Sequence, residues 1–180
     1  MQKVKNEDLG RLSVAAFQLS EKLPVCVVLD NIRSALNVGS VFRSCDGFAT
    51  TSIYLCGITA QPPHKEIHKT AIGATESVAW QYFDNTSAAL IHLRQEGYRI
   101  FAIEQAMPRI WLQDFKVLPH EKYAFVFGNE VAGVSEEALQ FCEACIEIPQ
   151  MGTKHSFNIS VSAGIVLWDF YSKYLQNKKP

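Results

Sequence analysis

Two rhythms of apolar residues alternate along the chain. Short, mostly apolar runs occur at Val25–Leu29 (VCVVL), Ser52–Cys56 (SIYLC), Tyr98–Ile103 (YRIFAI), Tyr123–Phe127 (YAFVF) and Cys145–Pro149 (CIEIP). Runs of that length, rich in β-branched and aromatic residues, predict buried strands. Ser77–Phe83 (SVAWQYF) predicts a further extended segment. Between the runs the period lengthens to that of a helix. Asn37 predicts the cap of a helix in which Val38, Val41, Phe42 and Cys45 form one stripe, with Gly47 near its end. Ser13 predicts the cap of a short helix through Lys22, stopped by Pro24. Pro63 suits the first turn of a short helix near His64–Thr70. Thr86 or Ser87 opens a helix that ends near Gly97, and Ser135 with Glu136, Glu137 and Ala138 opens another. Asn158 to about Gln176 predicts a long last helix. That helix is apolar over more than one face around Ile159–Tyr171, which places it in the core or against a partner subunit.

Strands alternating with helices predict an α/β domain: a mostly parallel sheet with helices on both faces. Ligands of such sheets sit beyond the carboxyl ends of the strands. Four polar loops follow predicted strands there: DNIRSALNVGSVFR, EQAMPR, GNEVAG and PQMGTKHSFN. They put Arg33, Asn37, Arg43, Glu130, Ser156 and Asn158 at one edge. Singly, Asn37, Ser156 and Asn158 read as helix caps. Together, the six predict a site.

Composition narrows the class. The 180 residues are 48% hydrophobic and 19% charged, enough for the core of a single domain with a short N-terminal helical extension over 1–23. A net charge of −1 leaves no bulk attraction to nucleic acid, so any such contact rests on local patches. Five scattered cysteines, no apolar signal core and no apolar run of membrane-spanning length predict a cytoplasmic protein with reduced, buried thiols.

Familiar motifs fail on their chemistry. GNEVAGVS has the glycine spacing of a phosphate loop, but Val134 stands where its lysine belongs and Glu130 would repel a triphosphate. No G-x-G-x-x-G follows a predicted strand, so a standard dinucleotide fingerprint is absent, and the missing P-loop lysine argues against the commonest form of an ATP-binding phosphotransferase. His64 and His68 have a metal-binding spacing, yet HKEIH is not H-E-x-x-H, and a basic surface segment with Lys65 and Lys69 is the better reading. Cys142 and Cys145 form a lone C-x-x-C with no second pair, and read as buried thiols. Ser156 lacks a G-x-S-x-G elbow. Trp168, Phe170, Tyr171 and Tyr174 read as packing.

Three blocks together resemble the SpoU (TrmH) family of RNA ribose 2′-O-methyltransferases of the SPOUT superfamily. NIRSALNVGSVFRSCDGF (Asn31–Phe48) is similar to N-x-R-x-x-x-N-x-G-x-x-x-R. FVFGNEVAGVS (Phe125–Ser135) is similar to strand-G-x-E-x-x-G-[LIV]-S. IPQMGTKHSFNISVSAG (Ile148–Gly164) is similar to I-P-M-x-G-x-x-x-S-L-N-V-S-x-A, with Gln150 inserted and Phe157 in place of Leu. Order and spacing match over about residues 25–170. The resemblance implies a deep trefoil knot in the C-terminal part of the chain, which ordinary topology rules would reject. It implies a homodimer with the cofactor site near the subunit interface, S-adenosylmethionine as cofactor, no metal, and tRNA or rRNA as substrate. A non-catalytic RNA-binding protein on the same fold is the alternative; it would be expected to have lost Arg43, Glu130 or Asn158. By resemblance Arg43 is the central catalytic residue, with Asn37, Glu130, Ser156 and Asn158 around it and Glu130 orienting the arginine and the polar network. The implied cofactor residues are Glu104, Gly128, Asn129, Ile148, Met151, Ser156 and Phe157, with Gly128 letting the backbone approach the cofactor. Arg33, Arg43, Lys65, Lys69, Arg109 and Lys154, on the predicted active edge or beside it, are the candidate phosphate contacts.

Overall fold

The computed structural model describes residue 1 and residues 3–178. Seven strands form one sheet in the order β3-β2-β1-β6-β4-β7-β5. They are β1 (Leu23–Asp30), β2 (Thr50–Cys56), β3 (Trp80–Phe83), β4 (Tyr98–Ile103), β5 (Arg109–Trp111), β6 (Lys122–Phe127) and β7 (Ala144–Glu147). Every pair of neighbours is parallel. Each parallel step needs a crossover, and α2 (Ala35–Gly47), α3 (Lys65–Ala71), α4 (Ala74–Ser77), α5 (Thr86–Gln95) and α6 (Glu136–Leu139) lie in most of them, while α1 (Val14–Leu19) precedes the first strand and α7 (Ile159–Asn177) follows the last.

The sheet is covered on both faces, which is why its strands read as mostly apolar runs. Val25, Val27, Leu29, Phe125 and Phe127 point to the face packed by α2, α3 and α7. Cys26, Val28, Ala124 and Val126 alternate to the face packed by α5 and α6. Register then decides where the strands stop. Leu29 pairs with Phe127, Phe127 with Ile103, and Ile103 with Ile146. The next residues, Asp30, Gly128, Glu104 and Glu147, therefore leave the sheet side by side along one edge.

Several boundaries differ from the sequence reading. Asn37 is not the cap of α2. Ser34 is, its hydroxyl accepting from the Asn37 N–H at 3.3 Å, so Asn37 lies inside the first turn with its carboxamide free for other use. Asn85 caps α5 rather than Thr86 or Ser87, and Thr86 instead donates to the buried Asp30 carboxylate at 2.5 Å. His64, not Pro63, opens α3, its ring accepting from the Glu66 N–H. Helix α1 stops at Leu19, and Pro24 falls at the start of β1, where the pairing with β2 is irregular. Only Trp80–Phe83 of the extended segment is strand, and Ala74–Ser77 is a helical turn. The three residues of β5 are too short to leave a pattern. Ser135 and Asn158 cap α6 and α7, as read. The cysteines are free thiols. Burial pushes the Cys45, Cys56 and Cys142 thiols up to about 12, in keeping with inert core groups. Among the described residues no helix is long and apolar enough to cross a membrane.

Candidate functional site

The loop after β6 folds back on itself. Asn129 and Gly133 exchange backbone hydrogen bonds, both at 2.9 Å. The Asn129 carboxamide oxygen accepts from the Val131 and Ala132 N–H groups, and its nitrogen donates to the Asn31 carbonyl at 2.7 Å. This clasp explains the glycines. A Cβ on Gly128 would lie 2.1 Å from the Gly133 carbonyl carbon and the Val134 nitrogen. Gly133 has φ +71°, and a Cβ there would meet a Glu104 carboxylate oxygen at 2.3 Å. Gly128 is thus required by its own loop, a reason the resemblance did not supply.

The clasp aims Glu130 at the start of α2. Its carboxylate accepts from the Arg33 N–H at 2.9 Å, the Ser34 N–H at 3.1 Å and the Asn37 side-chain nitrogen at 3.0 Å. Partial burial works to raise the Glu130 pKa, but these bonds and its own N–H outweigh it and hold the carboxyl below the ordinary value. Asn37 passes the link on: its oxygen accepts from Asn158 Nδ2 at 3.1 Å. Asn158 Oδ1 accepts from the Ser160 N–H at 2.9 Å and the Ser160 hydroxyl at 2.7 Å. One polar chain therefore joins three segments far apart in sequence. Among the described residues Glu130 has no hydrogen bond or ion pair with Arg43; its partners are the helix terminus and Asn37 of the polar network.

Beside this chain opens a cavity of about 600 Å³. Of the residues singled out for cofactor contact, Glu104, Gly128, Asn129, Ile148, Ser156 and Phe157 line it, with Glu130 and Asn158. Met151 does not: it is fully exposed in the loop, and the inserted Gln150 takes a place in the wall instead. Glu104 also supports the wall, accepting from the Gln105 and Val134 N–H groups at 2.8 and 3.0 Å. Arg43 stands exposed on α2 outside the lining. Arg33, Lys65, Lys69 and Lys154 are likewise exposed. Arg109 is engaged elsewhere: it pairs with Glu147 at 2.9 Å and lies 4.3 Å from the Trp111 ring centre.

Two supporting residues escaped the sequence reading. Asp30, 1% exposed, accepts from Asn31, Thr86 and the Ser135 N–H at 2.8 Å, tying α6 to the end of β1. Gln105 donates to the His155 carbonyl at 2.8 Å and moors the loop before α7. A carboxylate at a buried strand end was the only signal for the first, and nothing marked the second.

A sequence profile described as the SpoU rRNA Methylase family matches residues 24–168. The chain belongs to that family. It is similar to a tRNA (guanosine(18)-2′-O)-methyltransferase of Thermus thermophilus, 28% identical over 79% of this chain and 72% of the relative. It is similar to a 23S rRNA (guanosine-2′-O-)-methyltransferase of Neisseria meningitidis, 27% identical over 87% of this chain and 62% of that longer protein. The fold matches the crystal structure of an AdoMet-bound rRNA methyltransferase from Sinorhizobium meliloti with a TM-score of 0.78, at 24% identity over 84% of this chain and 57% of the other. In this SpoU methylase chain the matched span takes in the clasp, the polar chain and the cavity alike.

Proposed function

We propose that this protein transfers a methyl group from S-adenosylmethionine to a ribose 2′-hydroxyl of RNA, with tRNA or rRNA as substrate. One observation carries the reading. The cavity beyond the strand ends is lined by Glu104, Glu130 and Glu147 and by no Lys or Arg. A triphosphate would find no counter-charge there. A ligand bearing a sulfonium and an ammonium, with ribose hydroxyls to donate, matches carboxylates. The apolar walls Ile103, Ile146, Ile148 and Phe157 suit its adenine. The volume is also that of a small-molecule site. Glu104, Gly128, Asn129, Ile148, Ser156 and Phe157 would hold the cofactor, which supplies an electrophilic methyl on its sulfur.

The chain's own groups perform the rest. A ribose hydroxyl is a weak nucleophile that would have to lose its proton, to water in this solvent-open site, as its oxygen took the methyl and the neutral thioether left. In-line placement and a donor for the developing oxyanion lower that barrier. Arg43 fills the donor's role. Its fork grips an RNA phosphate and stabilises the oxyanion, and a guanidinium, which keeps its proton, is unsuited to be the base. Glu130, Asn37, Asn158 and Ser156 fix the walls between which the ribose enters.

Arg43 lies outside its own cavity, and α7 exposes Val161, Trp168 and Leu175, with Trp168 61% accessible. Both features support a homodimer in which a second copy covers that stripe and the site lies near the interface. Sheet order supports the knot implied by the resemblance. β6 inserts between β1 and β4, and β7 between β4 and β5, so the last third of the chain re-enters the sheet twice. Free thiols support a cytoplasmic setting. The test offers methyl-labelled S-adenosylmethionine and unmodified tRNA or rRNA pools to the purified protein, with Arg43→Ala as control. Label on ribose in one pool, lost in the control, is expected. Cofactor binding without label in either pool would favour a non-catalytic RNA-binding protein.

A further inference from the structure

A second cleft, of about 570 Å³, lies between α3, α4 and β3, away from the residues of the first cavity. The buried Ile67 contributes to its lining, with Pro62, Pro63 and Trp80 as flat apolar surfaces and His64, Lys65, His68, Thr75 and Glu76 as its polar members. Trp80 is half-buried, pairs with no other ring, and its indole N–H has no partner among the described residues. Its N–H is therefore in contact with solvent, and the indole lines the cleft with no other ring against it. His64 uses Nδ1 to accept the Glu66 N–H at 3.2 Å, which leaves Nε2 for another contact.

The cleft is coupled to the candidate active site through one short helix. Thr70 of α3 donates to the Leu36 carbonyl at 2.9 Å, one residue before Asn37. A Cβ on Gly39 of α2 would lie 2.3 Å from the Ile67 carbonyl oxygen, so α2 and α3 pack closely there with no room to slide. These contacts tie the helix that lines the cleft to the helix that carries Asn37 and Arg43.

We infer that this cleft is a subsite for one unpaired RNA nucleotide, its base stacked on Trp80 and its phosphate met by Lys65. The inference rests on the RNA methyltransferase reading and extends it to how the strand beside the target ribose is held. A cleft lined by a flat indole and two proline rings suits a planar base, and stacking tolerates any base because each has a π face. Lys65 lines the cleft and Lys69 follows it one turn on in α3, which gives a chain of net charge −1 a local positive charge here. Sequence-selective RNA contacts are ordinarily made to such splayed, unpaired nucleotides, because the grooves of paired RNA are hard to read.

The test measures binding of a labelled hexaadenylate RNA by fluorescence anisotropy, and of S-adenosylmethionine by calorimetry. Wild type is compared with Trp80→Ala, Trp80→Phe and Lys65→Ala, each checked by thermal melting. Trp80→Ala is expected to bind the hexamer about 10-fold more weakly, the scale of one lost base stack. Trp80→Phe keeps a ring and stays within about threefold. Lys65→Ala lowers the dependence of log Kd on log salt by about one phosphate contact. Cofactor affinity is unchanged in all three. Unaltered hexamer binding in a folded Trp80→Ala protein would overturn the subsite, as would equal losses in Trp80→Ala and Trp80→Phe. A wild type that binds the hexamer through Trp80 yet takes no S-adenosylmethionine would keep the subsite and remove the methyltransferase reading.

Discussion

Asn158 and Asn37 meet side chain to side chain, 3.1 Å apart, across 121 positions of sequence. The same Asn158 caps α7 through its oxygen and reaches Asn37 through its nitrogen. The two halves of one carboxamide thus do separate jobs, one for stability and one for the site.

That division can be cut. Asn158→Asp keeps the capping oxygen but has no donor for Asn37. Its melting point should stay close to wild type, whereas methyl transfer should fall about 10-fold or more from misplacement of the site. Asn158→Ala should lose the cap as well, at a cost of about 1 kcal/mol. Calorimetry beside single-turnover kinetics separates the two, and equal activity in Asn158→Asp and wild type would dismiss the Asn37 link.

Glu130 predicts a pH dependence. Its folded pKa lies below the ordinary carboxylate value because backbone and Asn37 donors favour the anion. A depressed folded pKa gives stability that is full above the unfolded value of about 4.3 and drains away as pH falls through the folded one. Acid unfolding of wild type should therefore show a component that Glu130→Gln lacks. If the wild-type minus Glu130→Gln stability difference is flat between about pH 5 and 2, the assignment fails.

Gly128→Ala should force the clasp open, because its Cβ has no room beside Gly133. Overpacking of this kind costs about 1–3 kcal/mol, and cofactor affinity should fall with it. Gly47→Ala is the control: its Cβ meets nothing within 4 Å at the end of α2. It should leave stability equal or slightly raised. Thermal melts of both, with and without S-adenosylmethionine, provide the comparison.

Arg43→Lys keeps the charge and loses the planar fork. Methyl transfer should drop about 100-fold, the scale of a lost oxyanion donor, with cofactor binding intact. Near-normal turnover would show that Arg43 does not stabilise the oxyanion through its fork.

Trp168→Glu places a charge in the exposed stripe of α7. In light scattering the wild type should run as a dimer and the variant as a monomer with the same fold. A monomeric wild type would refute the covered stripe.

Mostly apolar runs marked β1, β4 and β6 because a strand covered on both faces admits few polar residues, and those runs match the observed strands within two residues at either end. The edge loops stood out because polar residues and glycines concentrate there. Asn158 was readable as a cap. Its second bond was not, since nothing in sequence says that residue 37 lies opposite. The same limit hid Gly128's purpose: the chain shows a glycine, but only the returning loop shows which atoms forbid a side chain. Arg109 looked free because its partner Glu147 is 38 residues away and becomes a neighbour only when β5 pairs with β7. Sequence by itself determined what is set by neighbours along the chain: the longer strands, the caps Ser13, Ser135 and Asn158, and the chemistry on offer at each turn. Tertiary structure decided which groups meet, because strand order and register bring Asp30, Glu104 and Gly128 to one edge, and pairing across a sheet leaves no local trace.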